Sequence, residues 1–340
     1  MIALRADGGR QAGLGHVRRC LALADALSSW ADCCLLLHGD GGVRASVEDG
    51  GVRCLPVASD VESTLLAART IGADVLVVDS YTISPRDLGA ARTNLRLLVA
   101  VDDSGRFPLP AHVVVNSAPG LESPEPRDET CYLLGPRFAL LARQFAESRI
   151  RPFRDGVGRV LLVLGGSTPA ALVGRLARAT RRALPDAELD IVVGPLGDDS
   201  AAVTTALVGL SGFRLHRAPE SIRGLMLEAD VAVTAGGVTL LEVAAAGTPA
   251  VGVCVAPNQE PNLSGFAREG ACHLVGRAED PGLPSAVEAA LVELAADSGR
   301  RRVMGECARH LVDGRGAERV SEAIRTRLVQ APVAAKMGPC

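Results

Sequence analysis

The chain has 340 residues, a formal net charge of -3, and 48% hydrophobic but only 3% aromatic residues. That length is long for one compact core and comfortable for two domains, and the weakly negative charge excludes a nucleic-acid partner held by bulk electrostatics. With so few aromatics the core must be built from Ala, Val and Leu, as in alternating α/β folds whose parallel strands are buried on both faces.

From the N-terminus, Ile2 to Leu4 read as a short strand, and Arg5-Ala6-Asp7 lead into a loop in which Gly8, Gly9, Gly13 and Gly15 permit tight or positive-φ backbone. Val17, Leu21, Ala24 and Leu27 then recur at helical spacing, so His16 falls at or near a helix N-terminus. There, unpaired backbone N–H groups and the positive dipole end hold anions and favour a neutral imidazole, which can serve as a general base. Read alone, the window also fits a capping or surface histidine. It is neither nucleotide-loop fingerprint: Arg18 stands where G-x-G-x-x-G needs its third glycine, and no G-K-[ST] follows.

Strands follow at Cys33 to Leu37, Val52 to Pro56, Asp74 to Asp79, Leu95 to Val101 and Val113 to Asn116, with helices over 42–50, 61–70 and 85–92. This is the β-α-β rhythm of a doubly wound parallel sheet. Asp79-Ser80-Tyr81 and Asp102-Asp103-Ser104 fall where two strands end, the side of an open α/β sheet on which ligands bind; strand-end aspartates also cap turns and helices. A Pro-, Glu- and Ser-rich loop over 117–130 and a polar stretch from Glu147 to Val157, containing Arg149, precede a restart of the alternation at Arg159 to Leu164. The restart marks a second domain. Its further strands are Glu188 to Val193, Phe213 to His216, Asp230 to Thr234, Ala250 to Val255 and Cys272 to Val275, and its helices lie near 169–184, 199–209, 220–228, 238–246, 260–269 and 284–311.

The second domain carries its own loops. Gly165-Gly166-Ser167-Thr168-Pro169 opens a helix, with Ser167 or Thr168 as N-cap and Pro169 in the first turn. Gly236-Gly237-Val238-Thr239-Leu240 repeats the device: the two glycines let backbone approach a ligand, and the N–H groups of Val238, Thr239 and Leu240 suit a diphosphate. Glu242, one turn in, suits the two hydroxyls of a ribose, and Asn258-Gln259 offers amides at a further strand end. Nine cysteines, an odd number without a C-x-x-C pair, read as small buried hydrophobes in a reducing compartment. No signal peptide is visible, and no apolar run reaches the roughly 18 residues of a bilayer span, so a soluble, cytoplasmic protein is expected.

Taken together, Arg5-Ala6-Asp7, Gly13 with Gly15-His16-Val17-Arg18-Arg19-Cys20, Asp79-Ser80-Tyr81, Asp102-Asp103, the stretch from Leu134 to Leu141 with Phe145, Gly165-Gly166-Ser167, Glu242, Asn258-Gln259 and the stretch from Asp313 to Val320 resemble the UDP-sugar hydrolases of pseudaminic acid biosynthesis. That family releases UDP from a UDP-linked diacetamido-trideoxy sugar and shares the two-domain GT-B fold of many glycosyltransferases. The resemblance implies two Rossmann-like domains with an interdomain cleft for the sugar, a second domain that binds UDP, and water activated by His16. On this reading residues 1–148 carry the catalytic loop, 157–312 bind the nucleotide, 313–330 form a helix crossing back to the first domain, and 331–340 are a disordered tail.

The expected activity is a nucleotide-sugar hydrolase that releases UDP or another nucleoside diphosphate. His16 is its base, and Asp7, Tyr81 or Asp103 orients the imidazole or the sugar. Arg5, Gly13, Gly15, Arg19 and Asp79 are candidate substrate contacts on the same side. Neither metal nor cofactor is called for, because helix ends can carry the phosphate charge. Two alternatives share these residues: a glycosyltransferase in which His16 deprotonates an acceptor hydroxyl, and a module that binds a nucleotide-sugar without turnover.

Overall fold

The computed structural model describes residues 1–10, 12–103, 105, 108–124, 129–147, 151–198 and 200–330. The chain divides into two compact units. Unit 1 comprises Met1–Ser117, Leu121–Arg143 and the stretch from Arg315 onward, and unit 2 comprises Ala118–Gly120 and Gln144–Gly314. The tail expectation for 331–340, like Ser104 and Arg149, lies outside the described residues.

Unit 1 is built on seven parallel strands: β1 (Ile2–Gly8), β2 (Cys33–Gly39), β3 (Cys54–Pro56), β4 (Val75–Asp79), β5 (Leu97–Val101), β6 (Val113–Asn116) and β7 (Cys131–Leu134), in the order β3-β2-β1-β4-β5-β6-β7. Helices α1 (Gly15–Leu27), α2 (Gly41–Asp49), α3 (Val61–Thr70) and α4 (Pro85–Arg92) connect the first five. Every residue of β1, β4, β5 and β6 is buried, which is why these strands read as apolar runs rather than alternations. Small side chains carry the packing, among them Ala3, Cys34, Leu36, Leu76, Val78, Leu98 and Val114.

Unit 2 holds six parallel strands: β8 (Arg159–Val163), β9 (Glu188–Val193), β10 (Phe213–Arg217), β11 (Val231–Ala235), β12 (Ala250–Cys254) and β13 (His273–Arg277), in the order β10-β9-β8-β11-β12-β13. Its helices are α5 (Ala170–Ala183), α6 (Ser200–Ala206), α7 (Arg223–Glu228), α8 (Val238–Ala246), α9 (Glu260–Arg268), α10 (Leu283–Ala296) and α11 (Ser298–Leu311). Both sheets are therefore doubly wound, with strand order reversing beside β1 in unit 1 and beside β8 in unit 2. Ligands of such sheets bind at the carboxyl ends of the strands flanking that reversal.

Three features depart from the reading of the sequence. β1 continues to Gly8, so Arg5 and Asp7 lie on the strand itself. Cys131–Leu134 adds a seventh strand beside β6, a segment whose polar surroundings hid it. The single helix over 284–311 is two, broken at Asp297, which leaves helical dihedrals (φ -122, ψ 90) and accepts the N–H of Arg300 with its carboxylate. An apolar periodicity that runs through a short break cannot show that break. The described cysteines are free, and five of them (Cys20, Cys34, Cys54, Cys254 and Cys272) are buried. Among the described residues no helix is long and apolar enough to cross a membrane.

The last helix, α12 (Gly316–Gln330), belongs to unit 1 and packs on α1. Trp30 Nε1 donates to Ser321 Oγ at 3.0 Å, Ser321 Oγ donates to the Ala26 carbonyl at 3.1 Å, and Arg96 reaches the Leu328 carbonyl at 2.7 Å. Val320 and Ile324 are fully buried.

The end of β1 is the tightest point near the glycine loop. Gly8 pairs with Gly39 across β1 and β2, and a Cβ on Gly39 would lie 1.9 Å from the Gly8 carbonyl oxygen. Gly39→Ala must push the strand ends apart, so it is expected to destabilise the protein by about 1–3 kcal/mol, read as a lower urea midpoint. An unchanged midpoint would show that the strand ends part freely.

Candidate functional site

β1 delivers the chain into a closed glycine loop. Gly9 and Gly13 exchange two backbone hydrogen bonds (3.1 and 2.7 Å) at φ values of 139° and 73°, which suit glycine. The loop releases into α1 at Gly15, and His16 is its second residue. A Cβ on Gly8 would come within 2.8 Å of Val17, so helix and strand approach closely. β4, the neighbour of β1 across the strand-order reversal, ends at Asp79.

The two strand ends meet through side chains. His16 Nδ1 lies 2.5 Å from Asp79 Oδ1, and both residues are buried, His16 at 2% exposure. Arg19, one helical turn beyond His16, donates Nε to Asp79 Oδ2 and NH2 to Asp79 Oδ1, each at 2.7 Å, and donates NH1 to Asp103 Oδ2 at 2.9 Å. Asp103 also accepts the Tyr81 hydroxyl (2.7 and 2.9 Å), and the Tyr81 ring meets the imidazole edge-on with centroids 4.4 Å apart. His16, Asp79, Arg19, Asp103 and Tyr81 thus form one connected network.

Burial alone would raise the Asp79 carboxyl, but Arg19 and the facing imidazole hold it far below the usual carboxylate range. A 2.5 Å contact with an ionised carboxylate is a hydrogen bond only when Nδ1 carries the proton, so Nδ1 is assigned as donor to Asp79, with Arg19 NH2 3.0 Å from the same nitrogen, and Nε2 is the ring nitrogen that Asp79 does not engage. Arg19 is pushed the other way: burial works against its charge, yet Asp79 and Asp103 raise its proton affinity well above normal. Burial and the neighbouring Asp103 carboxylate both raise the Tyr81 phenol, so it stays protonated and donates.

Asp7 and Arg5 turn out to frame this network. Asp7 accepts Arg5 NH1 (2.8 Å) on one oxygen and the Ser80 hydroxyl (2.7 Å) and Tyr81 N–H (3.0 Å) on the other. Burial raises its carboxyl, and the Ser80 hydroxyl and Arg5 charge outweigh this, leaving it below the usual range. Arg5 is 0% exposed and spends its donors on Thr64, Thr82, Asp7 and the Ala6 carbonyl. In the structure Arg5 supports the 80–82 turn through Thr82, and Asp7 holds the Tyr81 N–H rather than touching the imidazole. Asp102 is buried at the end of β5 with its N–H on the Val115 carbonyl. Thr64 and Thr82 were not singled out in the sequence, since lone hydroxyls carry no spacing signal.

In unit 2 the two glycine loops follow β8 and β11, the pair flanking that sheet's reversal. Gly165 adopts φ 103°, and Gly166 runs so near Gly194 that a Cβ on Gly194 would lie 2.3 Å from the Gly166 Cα. The expected cap at Ser167 or Thr168 is replaced: Pro169 stands at the N-cap, Thr168 Oγ1 donates back to the Leu164 carbonyl at 2.9 Å, and Asp198 accepts the Ala170 N–H at 2.8 Å. Ser167 stays exposed.

At α8 the cap is Gly237, and among the described residues no side chain caps the helix. Leu240 N–H is committed to the Gly237 carbonyl at 3.0 Å, so of the three expected diphosphate donors Val238 and Thr239 remain the candidates. Glu242 sits below them on the next turn at 7% exposure. Gln259 clamps the strand ends: its Oε1 accepts both Gly236 N–H (3.2 Å) and Val255 N–H (3.0 Å), joining the ends of β11 and β12. Asn262, not singled out in the sequence, donates to the Gly236 carbonyl at 3.2 Å. Asn258 lies in the 3₁₀ turn Pro257–Gln259 at the end of β12.

No protein-family model matches the chain. The spore coat polysaccharide biosynthesis protein SpsG of Bacillus subtilis is 24% identical over 285 residues, which cover 82% of this chain and 84% of that protein. The uncharacterized protein MJ1062 of Methanocaldococcus jannaschii is 24% identical over 268 residues, 74% of this chain, and the chain spans about half (54%) of that longer relative. Among solved structures, MurG of Acinetobacter baumannii superposes with a TM-score of 0.66 at 17% identity, covering 96% of this chain and 99% of that one. The spinosyn forosaminyltransferase SpnP gives 0.67 at 15% identity with the same coverage. The fold is GT-B. In this GT-B chain both loop sets occupy equivalent places, after the first strand of each sheet and beside the strand that follows the reversal.

The buried Asp79 charge makes a testable contribution to stability. Asp79→Asn leaves Arg19 without its principal counter-charge and is expected to cost about 3–5 kcal/mol at neutral pH, measured by urea unfolding. Because the folded carboxyl lies below the ordinary value of 3.8, the stabilisation is complete above that pH and is lost as pH falls from there toward the folded value. The gap between wild type and Asp79→Asn should therefore hold above about pH 4 and narrow below it; a gap that widens with acid contradicts an ionised, stabilising Asp79.

Proposed function

We propose that the chain is a nucleotide-sugar hydrolase that releases a nucleoside diphosphate, UDP in the first instance. The observation that carries this reading is the His16–Asp79 pair at the unit 1 strand-order reversal, with Nδ1 on the carboxylate and Nε2 available as a base. Water attacks the anomeric carbon, His16 Nε2 takes its proton, the bond from that carbon to the diphosphate oxygen breaks, and the proton later leaves to solvent. Val238 and Thr239 N–H groups and the Gly165–Ser167 loop hold the departing charge, Glu242 accepts the ribose hydroxyls, and Asn258 adds an amide contact. A diphosphate held by fixed donors is a good leaving group, so positioning and proton acceptance are what remain for the protein to supply. SpsG's role in polysaccharide biosynthesis and the thymidine diphosphate bound in VinC support a nucleoside diphosphate sugar as substrate.

A second reading, transfer to an acceptor hydroxyl through the same base, is favoured by the glycosyltransferase identity of the similar structures. Mass spectrometry of purified protein with UDP- and dTDP-sugars distinguishes the two. Nucleoside diphosphate and free sugar formed without any acceptor are expected; release only when an acceptor is added gives the transferase, and no release under either condition removes both. Within the hydrolase reading, His16→Asn retains a polar side chain that takes no proton near neutral pH. It should lower kcat about 10²- to 10⁴-fold with little change in nucleotide affinity. Comparable turnover in the variant would return His16 to the role of a helix-terminal residue.

A further inference from the structure

A basic cavity lies at the far end of α8 from the glycine loop. It has a volume of about 530 Å³ and is lined by Arg151, Arg301, Arg302 and Arg309 with a single carboxylate, Glu306. α8 has nine residues, so the cavity at Gly247 is about 14 Å along the helix axis from the Val238 and Thr239 N–H groups. It is a separate place in unit 2.

What distinguishes it is uncompensated charge. Arg301 is buried at 1% exposure and bonds only backbone carbonyls, those of Leu294, Ala295, Arg154 and Asp155. These dipoles solvate the guanidinium without neutralising it. Arg302 lies over the Phe153 ring at 4.1 Å, with Arg301 5.9 Å from the same ring, so the aromatic face holds two cations in fixed positions. Among the described residues neither Arg301, Arg302 nor Arg309 has a carboxylate within ion-pair range. Arg151 does reach Asp230 at 3.4 Å, yet that carboxylate is shared with Arg154 and with the N–H groups of Gly158 and Arg159. Burial lowers the proton affinities of Arg151 and Arg301; Asp230 opposes this at both, and Asp155 and Asp297 oppose it at Arg301. Four guanidinium groups with so few ion-paired carboxylates are a standing cost, and a bound anion relieves it.

The cavity is also shaped for close approach. α11 crosses the end of α8 with Gly305 so near that a Cβ there would lie 2.4 Å from the Gly247 carbonyl, and Gly247, at φ 70°, touches the Arg309 side chain in the same way. Two glycines thus draw the arginine-bearing face of α11 against the α8 terminus.

We propose that this cavity binds a phosphoryl anion carrying at least two negative charges, separate from the nucleotide loops. Planar guanidinium forks match phosphate oxygens, and four of them around one space favour a multiply charged group over a carboxylate. The same chemistry is offered by a free phosphorylated metabolite and by an acidic lipid headgroup.

Inorganic pyrophosphate and vesicles separate these sources. Calorimetric titration of pyrophosphate is run with the nucleotide loops saturated by UDP, on wild type and on Arg302→Gln/Arg309→Gln, two exposed positions whose change leaves the core intact. Cosedimentation uses vesicles of phosphatidylcholine with and without phosphatidylglycerol. Pyrophosphate binding that weakens about tenfold or more in the double variant supports the proposal with a soluble ligand. Binding only to the phosphatidylglycerol vesicles, lost in the variant, supports it with a headgroup. Absence of both, or binding that the variant leaves unchanged, overturns it. Arg309→Glu, which adds a repelling charge at one exposed position, should weaken binding further than Arg309→Gln; equal affinities also count against the site.

Discussion

The arrangement of unit 1 depends on one buried ion pair. Asp79 and Arg19 are both buried, at 1% and 8% exposure, and neither charge is tolerable in that position without the other. Their bidentate contact aligns α1 against the end of β4, and His16 follows because it sits three residues before Arg19 on the same face of the helix. The imidazole is oriented by a carboxylate that is itself held in place by a guanidinium, and that guanidinium is held at its far side by Asp103. Tyr81 then closes the circuit from the loop after β4. A side chain fixed this way loses little entropy when a ligand arrives, which is the advantage of preorganisation.

The two units repeat one solution with different chemistry. Each places a glycine loop after its first strand, next to the strand beyond the reversal of order, where neighbouring connections leave in opposite directions and open a crevice. In unit 1 the opening is filled by titratable side chains. Unit 2 puts backbone N–H groups and a single carboxylate, Glu242, at the corresponding strand ends.

Much of this was legible because the relevant signals are local. Glycine clusters, strand-end aspartates and a histidine at a helix start are visible within a few residues, and the alternation of apolar runs with helical periodicity carried the doubly wound architecture. The roles were harder than the places. Asp79 as the partner of His16 required knowing that β1 and β4 are neighbours although 63 residues separate the two side chains. The Gln259 clamp and the full burial of Arg5 likewise come from tertiary pairing, and so does the commitment of Leu240 N–H to its own turn. The split at Asp297 and the edge strand β7 were lost for different reasons: a break of one residue falls below the window over which periodicity can be read, and the short apolar run of β7 sits in polar surroundings.

The attachment of α12 bears on how the molecule is made. Unit 1 begins at the N-terminus, yet the helix that covers α1 and buries Val320 and Ile324 is encoded after the whole of unit 2. On the ribosome the first sheet emerges with one flank of α1 bare, unit 2 is completed while it waits, and only the arrival of Ser321 beneath Trp30 seals it. The unit that is synthesised first is therefore finished last, and a chain cut short before residue 316 leaves the flank of α1, the helix bearing His16, exposed to proteases and chaperones.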